Sequence, residues 1–401
     1  MGDQAFAGRE AKADLKVVMH RGGPPENEIV IQSSAERLFG NRLREVVEQT
    51  LSALGVQKTR VEVVDRAAFD WVIMARVEAA AKRLYPDLTG EALPEWACDP
   101  KPTGRDRMRR SRLYLPGNNP DLMLNAGLFG PDGVILDLED SVAPAEKDAA
   151  RILVRNALRA IDFGDAERMV RINPYPEGVK DLPAIVPQKP NLILIPKVEQ
   201  ATDVSEAVNA IGQITTRHDL QDPIWIMPIL ESAKGVWHAY EIGCSSDQVA
   251  ALAFGAEDFT RDVQAARTVQ GHESFTARSM VVLGARASGV QPIDTVFSDV
   301  EDEEGLRSSV IEAISLGFEG KGCIHPRQIE VIHEAFRPKD EEIIHALKVK
   351  AAMEEAERTG SGVISLGSKM VDPPVVARAL RVLRVAEEMG IDVSALAPEE
   401  V

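Results

Sequence analysis

The clearest indication of the fold lies in residues 132–151, which read DGVILDLEDSVAPAEKDAAR. The apolar run at 133–138 has the length and composition of a strand that is covered on both faces. Three acids, Asp137, Glu139 and Asp140, stand at the end of this run. The carboxyl ends of parallel strands form the mouth of an α/β sheet or barrel, where metals and small anions are bound. The stretch therefore predicts an α/β enzyme.

The same pattern repeats along the chain, and helix-like segments separate most of the repeats. The apolar runs are Arg112–Pro116, Gly133–Leu138, Met169–Ile172, Asn191–Pro196, Ile224–Leu230, Val249–Phe254, Gln291–Val296 and Gly322–His325. Eight alternating β and α units over about 215 residues fit a closed barrel better than an open sheet. We therefore expect the α/β class, with a (β/α)₈ TIM barrel as the catalytic domain.

The flanking segments complete the expected domain organisation. Residues 1–85 predict a small α+β domain of three strands and two amphipathic helices, with a frayed stretch before about residue 14. Residues 86–108 are rich in Pro, Gly and acids, which is typical of a linker. The barrel then occupies residues 109–335. Residues 336–401 predict a C-terminal helical extension or lid, in which a Gly/Ser-rich loop carries Asp372.

Composition excludes several classes of function. The chain of 401 residues has 63 acids against 46 basic residues, a formal charge of −17. This balance argues against nucleic acid or an anionic membrane as the main partner. Its three cysteines are far apart and suggest neither a disulfide framework nor a zinc site. There is no signal peptide and no apolar segment of membrane-spanning length, so we expect a cytoplasmic protein.

Chemically distinctive residues stand at or just after the ends of the eight runs. They are Gly117, Asp137 with Glu139, Arg171 with Asn173, Lys197 with Glu199, Glu231, Asp258, Asp294 and His325. In a barrel all of them ring one face. Any single one can be a helix cap or a turn residue, but capping does not require Arg and Lys among the acids. The set therefore predicts an active site at that face.

Two of these acids indicate a metal. Glu231 and Asp258 follow the fifth and sixth runs, which are neighbours in a barrel. Two protein carboxylates, completed by waters and substrate oxygens, are the usual way in which Mg²⁺ is held. Arg171 can donate two hydrogen bonds to a carboxylate or stabilise a developing enolate oxygen. The alternative is that these residues form only a structural ion-pair network at the rim.

Other chemistries have less support. Lys197 could form a Schiff base, but it lies in PKVE with Glu199 on the same strand face, and a paired, charged lysine is a poor nucleophile. No G-x-S-x-G elbow, Rossmann fingerprint or P-loop occurs in the chain. A serine nucleophile and NAD or ATP chemistry are therefore not expected.

At this level of detail the chain resembles a known family. The matching stretches are RSRLYLPGNNPDLM, DGVILDLEDSVAPAEKDAAR, VRIN, LIPKVE, PILESAKGV, AFGAEDF, GCIHPRQI and KMVDPPVVARA. They resemble the citrate lyase β-subunit family, the branch of the HpcH/HpaI aldolase superfamily that acts on acyl thioesters. The resemblance runs from about residue 109 to about residue 389. It implies a (β/α)₈ barrel with a C-terminal helical extension, assembled as a homo-oligomer, a trimer or hexamer.

The resemblance also implies roles for particular residues. Glu231 and Asp258 would hold Mg²⁺, with Mn²⁺ as an alternative. The implied catalytic residues are Arg171, Asp372, Glu139 and Asp140, with Asp372 reaching into a neighbouring subunit's site. The implied residues for the substrate and its CoA are Arg110, Pro116, Gly117, Asn118, Lys147, Asn173 and Lys197.

The implied reaction is a retro-Claisen cleavage of a CoA thioester. A base takes the proton of the β-hydroxyl, the bond between the α and β carbons breaks, and an α-keto acid leaves. The remaining thioester enolate is protonated to acetyl thioester. Metal and arginine stabilise the two oxyanionic species of one turnover. The expected substrate is a 3-hydroxy-carboxyacyl-CoA of the citramalyl, citryl or malyl type.

The N-terminal segment resembles a second subunit of the same system. EIVIQSSAERLFGNRLREVVEQTLSALGV and RVEVVDRAAFDWVIMARVEAA are similar to the citrate lyase γ subunit, an acyl carrier protein. That carrier attaches a CoA-derived group to a serine shortly before the first predicted strand. Here Lys12 or Ala13 stands at that position, and neither has a hydroxyl. We therefore expect no covalently attached prosthetic group, and free CoA esters as substrates without a partner α subunit.

Two alternatives to the lyase remain open from sequence. One is a thioesterase of the malyl-CoA type, in which water captures the thioester. The other is a fused β/γ subunit that acts only inside a citrate lyase complex.

Overall fold

The chain forms two compact units in the computed structural model, which describes residues 2–23, 26–268, 270–359, 364–366 and 369–396. The first unit consists of Met1–Glu301 with Ser315–Ile329, and the second of Asp302–Ile314 with Glu330–Val401. The first unit contains both a small N-terminal sheet and the barrel.

The N-terminal domain is a four-stranded sheet in the order β1-β2-β4-β3, with two helices. Its elements are β1 (Gln4–Gly8), β2 (Leu15–Arg21), β3 (Glu28–Ser33), α1 (Glu36–Ala53), β4 (Thr59–Asp65) and α2 (Asp70–Leu84). Strands β2 and β4 alternate between buried and more exposed side chains, which is the pattern of a sheet covered on one face. The helices supply the cover with apolar faces that include Val46, Val47, Val72 and Ala75.

The expectation of a frayed N-terminus is wrong. Strand β1 pairs antiparallel with β2 over its whole length, from Gln4 opposite His20 to Gly8 opposite Lys16. The sequence AFAG of this strand is short and composed of small residues, so it gives little hydrophobic signal. Its order comes from the backbone ladder, which composition does not reveal.

Eight parallel strands form the closed barrel, in the order β10-β11-β12-β5-β6-β7-β8-β9, and the expected TIM-barrel architecture is confirmed. The strands are β5 (Ser111–Pro116), β6 (Gly133–Asp137), β7 (Glu167–Arg171), β8 (Leu192–Ile195), β9 (Trp225–Leu230), β10 (Ala251–Phe254), β11 (Gln291–Asp294) and β12 (Gly320–Cys323). The helices along this part are α3 (Pro120–Leu124), α4 (Lys147–Ala160), α5 (Leu182–Ile185), α6 (Ala201–Arg217), α7 (Ala233–Trp237), α8 (Ala239–Gly243), α9 (Ala256–Asp262), α10 (His272–Ala287) and α11 (Glu303–Leu316).

The last barrel strand begins two residues earlier than the sequence predicts. It starts at Gly320, where a side chain would bring its Cβ to 1.9 Å from the carbonyl oxygen of Arg109. Glycine is therefore required for β12 to approach β5 this closely. Because glycine carries no hydrophobic signal, the start of this strand was invisible in the apolar pattern.

The barrel interior is filled by side chains from six of its strands. The buried cluster comprises Ile135, Met169, Leu192, Leu194, Met227, Ile229, Ala251, Ala253 and Ile293, with Tyr114 and Trp225 packed against it. Small residues on β10 and β12, among them Ala253 and Gly322, leave space next to this cluster. The space opens toward the carboxyl ends of the strands.

The second unit contains most of the C-terminal helical extension. Its elements include the greater part of α12 (Arg327–Phe336), α13 (Asp340–Thr359), the hairpin β13 (Ile364–Leu366) and β14 (Lys369–Val371), and α14 (Pro373–Glu388). Helices α13 and α14 share an apolar core that includes Ile343, Val349, Leu383 and Ala386. Among the described residues, no helix is both long enough and apolar enough to cross a membrane.

Candidate active site at the mouth of the barrel

A cavity of about 490 Å³ lies at the carboxyl ends of the barrel strands. Its polar lining includes Asp137, Asp140, Arg171, Glu231 and Asp258. The volume is within the usual range for a small-molecule site. Of the strand-end residues that the sequence singled out, Asp137, Arg171, Glu231, Asp258 and Asp294 therefore line one concave space.

Asp137 and Arg171 form the first charged pair of the mouth. They are register partners at the ends of β6 and β7. The Arg171 guanidinium donates to both oxygens of Asp137, at 2.6 and 2.7 Å, and lies 5.2 Å from the centroid of the Tyr114 ring. Burial opposes the charge of the guanidinium, but the hydrogen bonds and charge of Asp137 outweigh it and raise the pKa of Arg171. The arginine is fixed in place and stays charged.

Lys197 and two acids from the β6 loop form a second charged group. The Lys197 ammonium is hydrogen-bonded to the Glu139 carboxylate and lies 3.4 Å from Asp140 Oδ1 and 3.5 Å from Asp258 Oδ2. Burial opposes its charge, but Glu139 outweighs this and raises the pKa of Lys197. A lysine held in the ammonium form is not a nucleophile, so the geometry disfavours Schiff-base chemistry.

Burial and charge also separate the two neighbouring acids of this group. Burial raises the pKa of Glu139, whose Oε2 also accepts a hydrogen bond from the Asp140 backbone N–H at 3.0 Å. Burial acts on Asp140 in the same direction, but hydrogen bonding with Glu139 and the charge of Lys197 outweigh it and lower the pKa of Asp140. Asp140 is therefore the more readily ionised of the two.

Glu231 and Asp258 come from neighbouring strands, as the sequence predicts. Leu230 at the end of β9 pairs with Phe254 at the end of β10, so the residues that follow them are adjacent. Burial, and then the charge of Asp258, raise the pKa of Glu231 to about 8. Gly255 makes this approach possible, because a Cβ at that position would lie 2.5 Å from Glu231 Oε2.

These two carboxylates fit a hard divalent cation. Glu231 Oε1 accepts from the Lys197 backbone N–H at 2.8 Å, whereas Glu231 Oε2 receives no hydrogen bond from the described part of the chain. Asp258 Oδ1 is paired with Arg261 at 2.8 Å, and among the described residues its Oδ2 has only the Lys197 ammonium, at 3.5 Å. Each acid thus keeps one oxygen without a close donor beside the cavity. Within the described ranges there is no group of three or more His, Cys, Asp or Glu arranged for a metal.

Several other predicted residues order the mouth. Lys147 donates to the backbone carbonyls of Leu138, at 2.7 Å, and Glu139, at 2.5 Å. Asn173 donates to Asp181 through both its backbone N–H and its side chain. Gly117 donates its N–H to the carbonyl of Asp137 at 2.8 Å. These contacts hold the loops after the strands in place.

Of three further residues predicted for the site, one lines the cavity and two lie elsewhere. Pro116 lines the cavity, whereas Asn118 does not; its carbonyl accepts a hydrogen bond at 3.0 Å from Arg76 of the N-terminal domain. Asp372 immediately precedes α14 in the second unit and is exposed. Its expected role in a neighbouring subunit's site stays a prediction.

The structure does not place Arg110 at the mouth. Arg110 precedes β5 at the amino-terminal end of the barrel and pairs with both oxygens of Asp132 at 2.8 and 2.9 Å. β5 separates it from the mouth by six residues, or roughly 20 Å of strand. The expectation that Arg110 contacts the thioester or its CoA is therefore contradicted within this chain.

The sequence reasoning missed several cavity residues, among them two that carry polar groups into the barrel interior. Arg112 and Tyr114 both line the cavity from β5. The alternation of side chains along β5 indicates this placement, because residues 112, 114 and 116 lie on one face of the strand. A charged residue inside a buried run should have been assigned to the barrel interior.

The N-terminal domain is joined to the barrel by buried charge pairs. Arg155 on α4 donates to both oxygens of Glu78 on α2, at 2.7 and 2.8 Å, and the two side chains are 1% and 0% exposed. Arg83 forms a similar pair with Asp148 at the surface. Lys12 lies 3.0 Å from Asp121 of the barrel. Lys12, one of the two residues expected to stand at the carrier attachment position, is therefore next to α3, which follows β5.

A closed parallel barrel with charged residues gathered at its carboxyl-terminal mouth defines a barrel enzyme. Residues 110–326 match the HpcH/HpaI aldolase/citrate lyase family, and residues 2–84 match the acyl carrier family described as malonate decarboxylase delta subunit (MdcD). The chain belongs to the HpcH/HpaI aldolase/citrate lyase family, and the predictions of this family and of a carrier-like N-terminal domain are confirmed.

Curated relatives and solved structures agree with this assignment. The citrate lyase subunit beta of Leuconostoc mesenteroides subsp. cremoris is 42% identical over 70% of this chain and 94% of its own length. A (3S)-malyl-CoA thioesterase of Cereibacter sphaeroides is 35% identical over 70% of this chain and 95% of its own. The CitE protein of Mycobacterium tuberculosis, solved with magnesium, acetoacetate and coenzyme A, matches 70% of this chain and 98% of its own with a TM-score of 0.57 and 31% identity. The protein is an enzyme of the lyase class.

Proposed function

We propose that the protein is a cytoplasmic, Mg²⁺-dependent carbon–carbon lyase of CoA thioesters. It cleaves a 3-hydroxy-carboxyacyl-CoA of the citramalyl, citryl or malyl type to acetyl-CoA and an α-keto acid. The observation that carries this proposal is the meeting of Glu231, Asp258 and Arg171 in one cavity. The lyase name of the Leuconostoc mesenteroides relative and the coenzyme A bound to the Mycobacterium tuberculosis relative support the same chemistry.

Glu231 and Asp258 are the residues that would hold the metal. Two carboxylates leave the remaining coordination positions to water and substrate oxygens, which is the usual arrangement for Mg²⁺, with Mn²⁺ as an alternative. When bound, the ion polarises a carbonyl and offsets developing negative charge. The magnesium in the Mycobacterium tuberculosis relative supports this choice of cofactor.

The chain's own residues supply orientation and charge. Arg171 is held rigid by Asp137, so its guanidinium presents donors to the developing oxyanion with little reorganisation. Asp140 lines the cavity, and its carboxylate is the proposed base for the proton of the β-hydroxyl. Glu139 positions Lys197 and Arg171, with which its two oxygens form ion pairs.

The final protonation of the enolate is proposed to use an acid from outside this cavity lining. Asp372 is the proposed group, contributed by a neighbouring subunit of a homo-oligomeric trimer or hexamer. Its exposure in the second unit leaves it accessible for such a contact.

The N-terminal domain is proposed to have lost the function of a mobile carrier. A phosphodiester link to a prosthetic group needs a hydroxyl, and Lys12 and Ala13 have none. The buried Glu78–Arg155 pair ties the domain to the barrel, which disfavours the excursions of a working carrier. The substrate is therefore proposed to be a free CoA ester, with no partner α subunit.

A panel of esters tests the proposal. Citramalyl-, citryl- and malyl-CoA are incubated with the purified full chain, with Mg²⁺ or with EDTA, and keto acid and free thiol are measured separately. We expect keto acid and acetyl-CoA, dependent on Mg²⁺. Free CoA with intact hydroxy acid would instead identify a thioesterase, an alternative that the Cereibacter sphaeroides relative favours. No turnover of any ester, together with a CoA-like mass on the protein, would indicate a subunit of a larger complex.

A further inference from the structure

The catalytic cavity extends below the ring of acids into the barrel. Arg112, Ile229, Ala253 and Gly322 line this deeper part. A Cβ at Gly322 would lie 2.7 Å from the Val296 side chain and 3.2 Å from the Tyr114 ring, so glycine is needed for these side chains to pack against β12 beside the cavity. The cavity therefore has a floor as well as a rim, and the floor carries a cation.

Arg112 is buried without a counter-charge. Its side chain belongs to a residue that is 1% exposed, and its Nε has no hydrogen-bond partner among the described residues. Nη1 donates to the Met227 sulfur at 3.1 Å, which is a weak acceptor, and Nη2 donates to the Asp294 backbone carbonyl at 3.3 Å. No described carboxylate forms an ion pair with this guanidinium.

The nearest acid is already engaged by other cations. The Asp294 carboxylate accepts two hydrogen bonds from Arg278, at 2.9 and 3.0 Å, and one from Lys321 at 2.9 Å. Only its backbone carbonyl is left for Arg112. A buried cation without a counter-charge is costly, and an anion entering the cavity would relieve that cost. Burial accordingly lowers the pKa of Arg112.

Depth decides which anion can reach this position. The reacting carbon must lie at the rim, between Arg171 and the two acids proposed to hold the metal, and a carboxylate attached directly to that carbon stays there. Arg112 is four residues before Pro116 on β5, which corresponds to about 13 Å of strand. Its own side chain spans part of this distance toward the rim. Only a carboxylate on a further arm of the acyl group can meet it.

We propose that Arg112 is a specificity residue that binds a second carboxylate of the substrate, carried on an arm of the carbon that bears the hydroxyl. This inference rests on the proposed lyase function and deepens it. The three candidate esters differ at that carbon, where malyl-CoA carries hydrogen, citramalyl-CoA a methyl group and citryl-CoA a carboxymethyl group. Arg112 selects the carboxymethyl group, and the released keto acid then has two carboxylates.

The substitution Arg112→Met tests this selection. Methionine fills similar volume beside Met227 without charge. A charge-assisted hydrogen bond contributes about 1.5–3 kcal/mol, so kcat/KM for citryl-CoA should fall by about 10- to 10²-fold. The values for citramalyl- and malyl-CoA should change far less, and Arg112→Lys should recover part of the loss for citryl-CoA alone. Arg217→Met, an exposed arginine at the end of α6, is the matched control. Equal losses for all three esters would show a merely structural role and overturn the proposal.

A binding measurement separates this inference from the lyase proposal. Calorimetry with the wild-type chain should show tighter binding of oxaloacetate than of pyruvate, and Arg112→Met should abolish the difference. If the wild type cleaves no ester but keeps this preference, the proposed function fails and the anion subsite stands. If the wild type cleaves the esters but binds both keto acids equally, the subsite fails and the lyase stands. The wild-type comparison holds even if the methionine variant does not fold.

Discussion

Two buried glutamates of this chain have opposite electrostatic environments. Glu78, at the junction of the N-terminal domain with the barrel, is 0% exposed, and Glu231, at the mouth, is 7% exposed. Burial opposes ionisation of both. At Glu78 the hydrogen bonds and charge of Arg155 outweigh it and lower the pKa, whereas at Glu231 the charge of Asp258 adds to it and raises the pKa to about 8.

The difference lies in the balance of charge around each residue. At the junction each buried acid has its own arginine, as in Glu78 with Arg155 and Asp14 with Arg76. Among the described residues at the mouth, the acids outnumber the cations that pair with them. The acids are Asp137, Glu139, Asp140, Glu231 and Asp258, and the cations are Arg171, Lys197 and the exposed Arg261. A closed pair builds the fold, and an excess of carboxylates favours the binding of a cation.

The largest expected effect comes from neutralising one of the excess carboxylates at the mouth. Glu231→Gln should lower kcat by about 10³-fold, because the metal's contribution to the transition state is several kcal/mol. In EDTA, near pH 8, its melting temperature should not fall, since the change also removes repulsion from Asp258. The exposed residue Glu241 supplies the control, Glu241→Gln, which should change neither quantity. A variant that melts much earlier in EDTA would contradict the contrast with Glu78.

Asp258→Asn should also lower activity by weakening metal binding. Its loss of activity should be partly recovered at high Mg²⁺, because one ligand remains to bind the ion weakly. The activity is measured as a function of metal concentration at saturating ester. An Mg²⁺ dependence identical to that of the wild type would refute the assignment of Asp258 as a ligand.

Breaking the closed pair should have the reverse outcome. Glu78→Gln removes the negative charge that faces the buried Arg155. This should lower the free energy of unfolding by about 3–5 kcal/mol. The activity per folded molecule should be retained. Chemical denaturation measures the loss. The control is Glu91→Gln, because Glu91 contacts the same arginine at 3.2 Å but is 45% exposed and should cost at most about 1 kcal/mol.

The junction pair also has a defined pH dependence. The folded-state pKa of Glu78 is lowered, so its contribution to stability is present above the unfolded value of about 4.3 and is lost as the pH falls through the folded pKa. The stability difference between wild type and Glu78→Gln should therefore shrink on acidification. A difference that grows toward low pH would show that the pair is not stabilising the ionised form.

A smaller effect is expected for the residue proposed to act between subunits. Asp372→Asn should slow turnover by about 10²-fold, as for a general acid, and leave ester binding unchanged. Co-expression with Arg171→Ala should restore part of the activity, because mixed oligomers contain some sites with both native groups. If mixed oligomers are verified and activity is still not restored, the shared site is contradicted. Asp372 then either acts in the site of its own subunit or takes no part in catalysis.

The sequence predicted the barrel more completely than it predicted the site. Strand β8 is uniformly apolar and β6 is apolar up to its last residue, Asp137, so their position follows from hydrophobicity alone. Strands β1 and β12 depend on backbone pairing and on glycine, which leave no such trace. Arg110 immediately precedes β5 and Arg112 lies within it, yet Arg110 forms a salt bridge away from the mouth and Arg112 faces the barrel interior. That distinction follows from register and barrel closure, not from residue type.

The smallest expected effect tests whether the N-terminal domain is only a fixed part of the fold. Lys12→Ala removes a surface ion pair with Asp121 and should change kcat/KM less than about twofold, since such pairs contribute at most about 1 kcal/mol. The intact mass of the protein should equal that of its sequence. A CoA-derived adduct on any residue, or a large loss of activity in this variant, would mean that the junction takes part in catalysis and that its charges are not merely architectural.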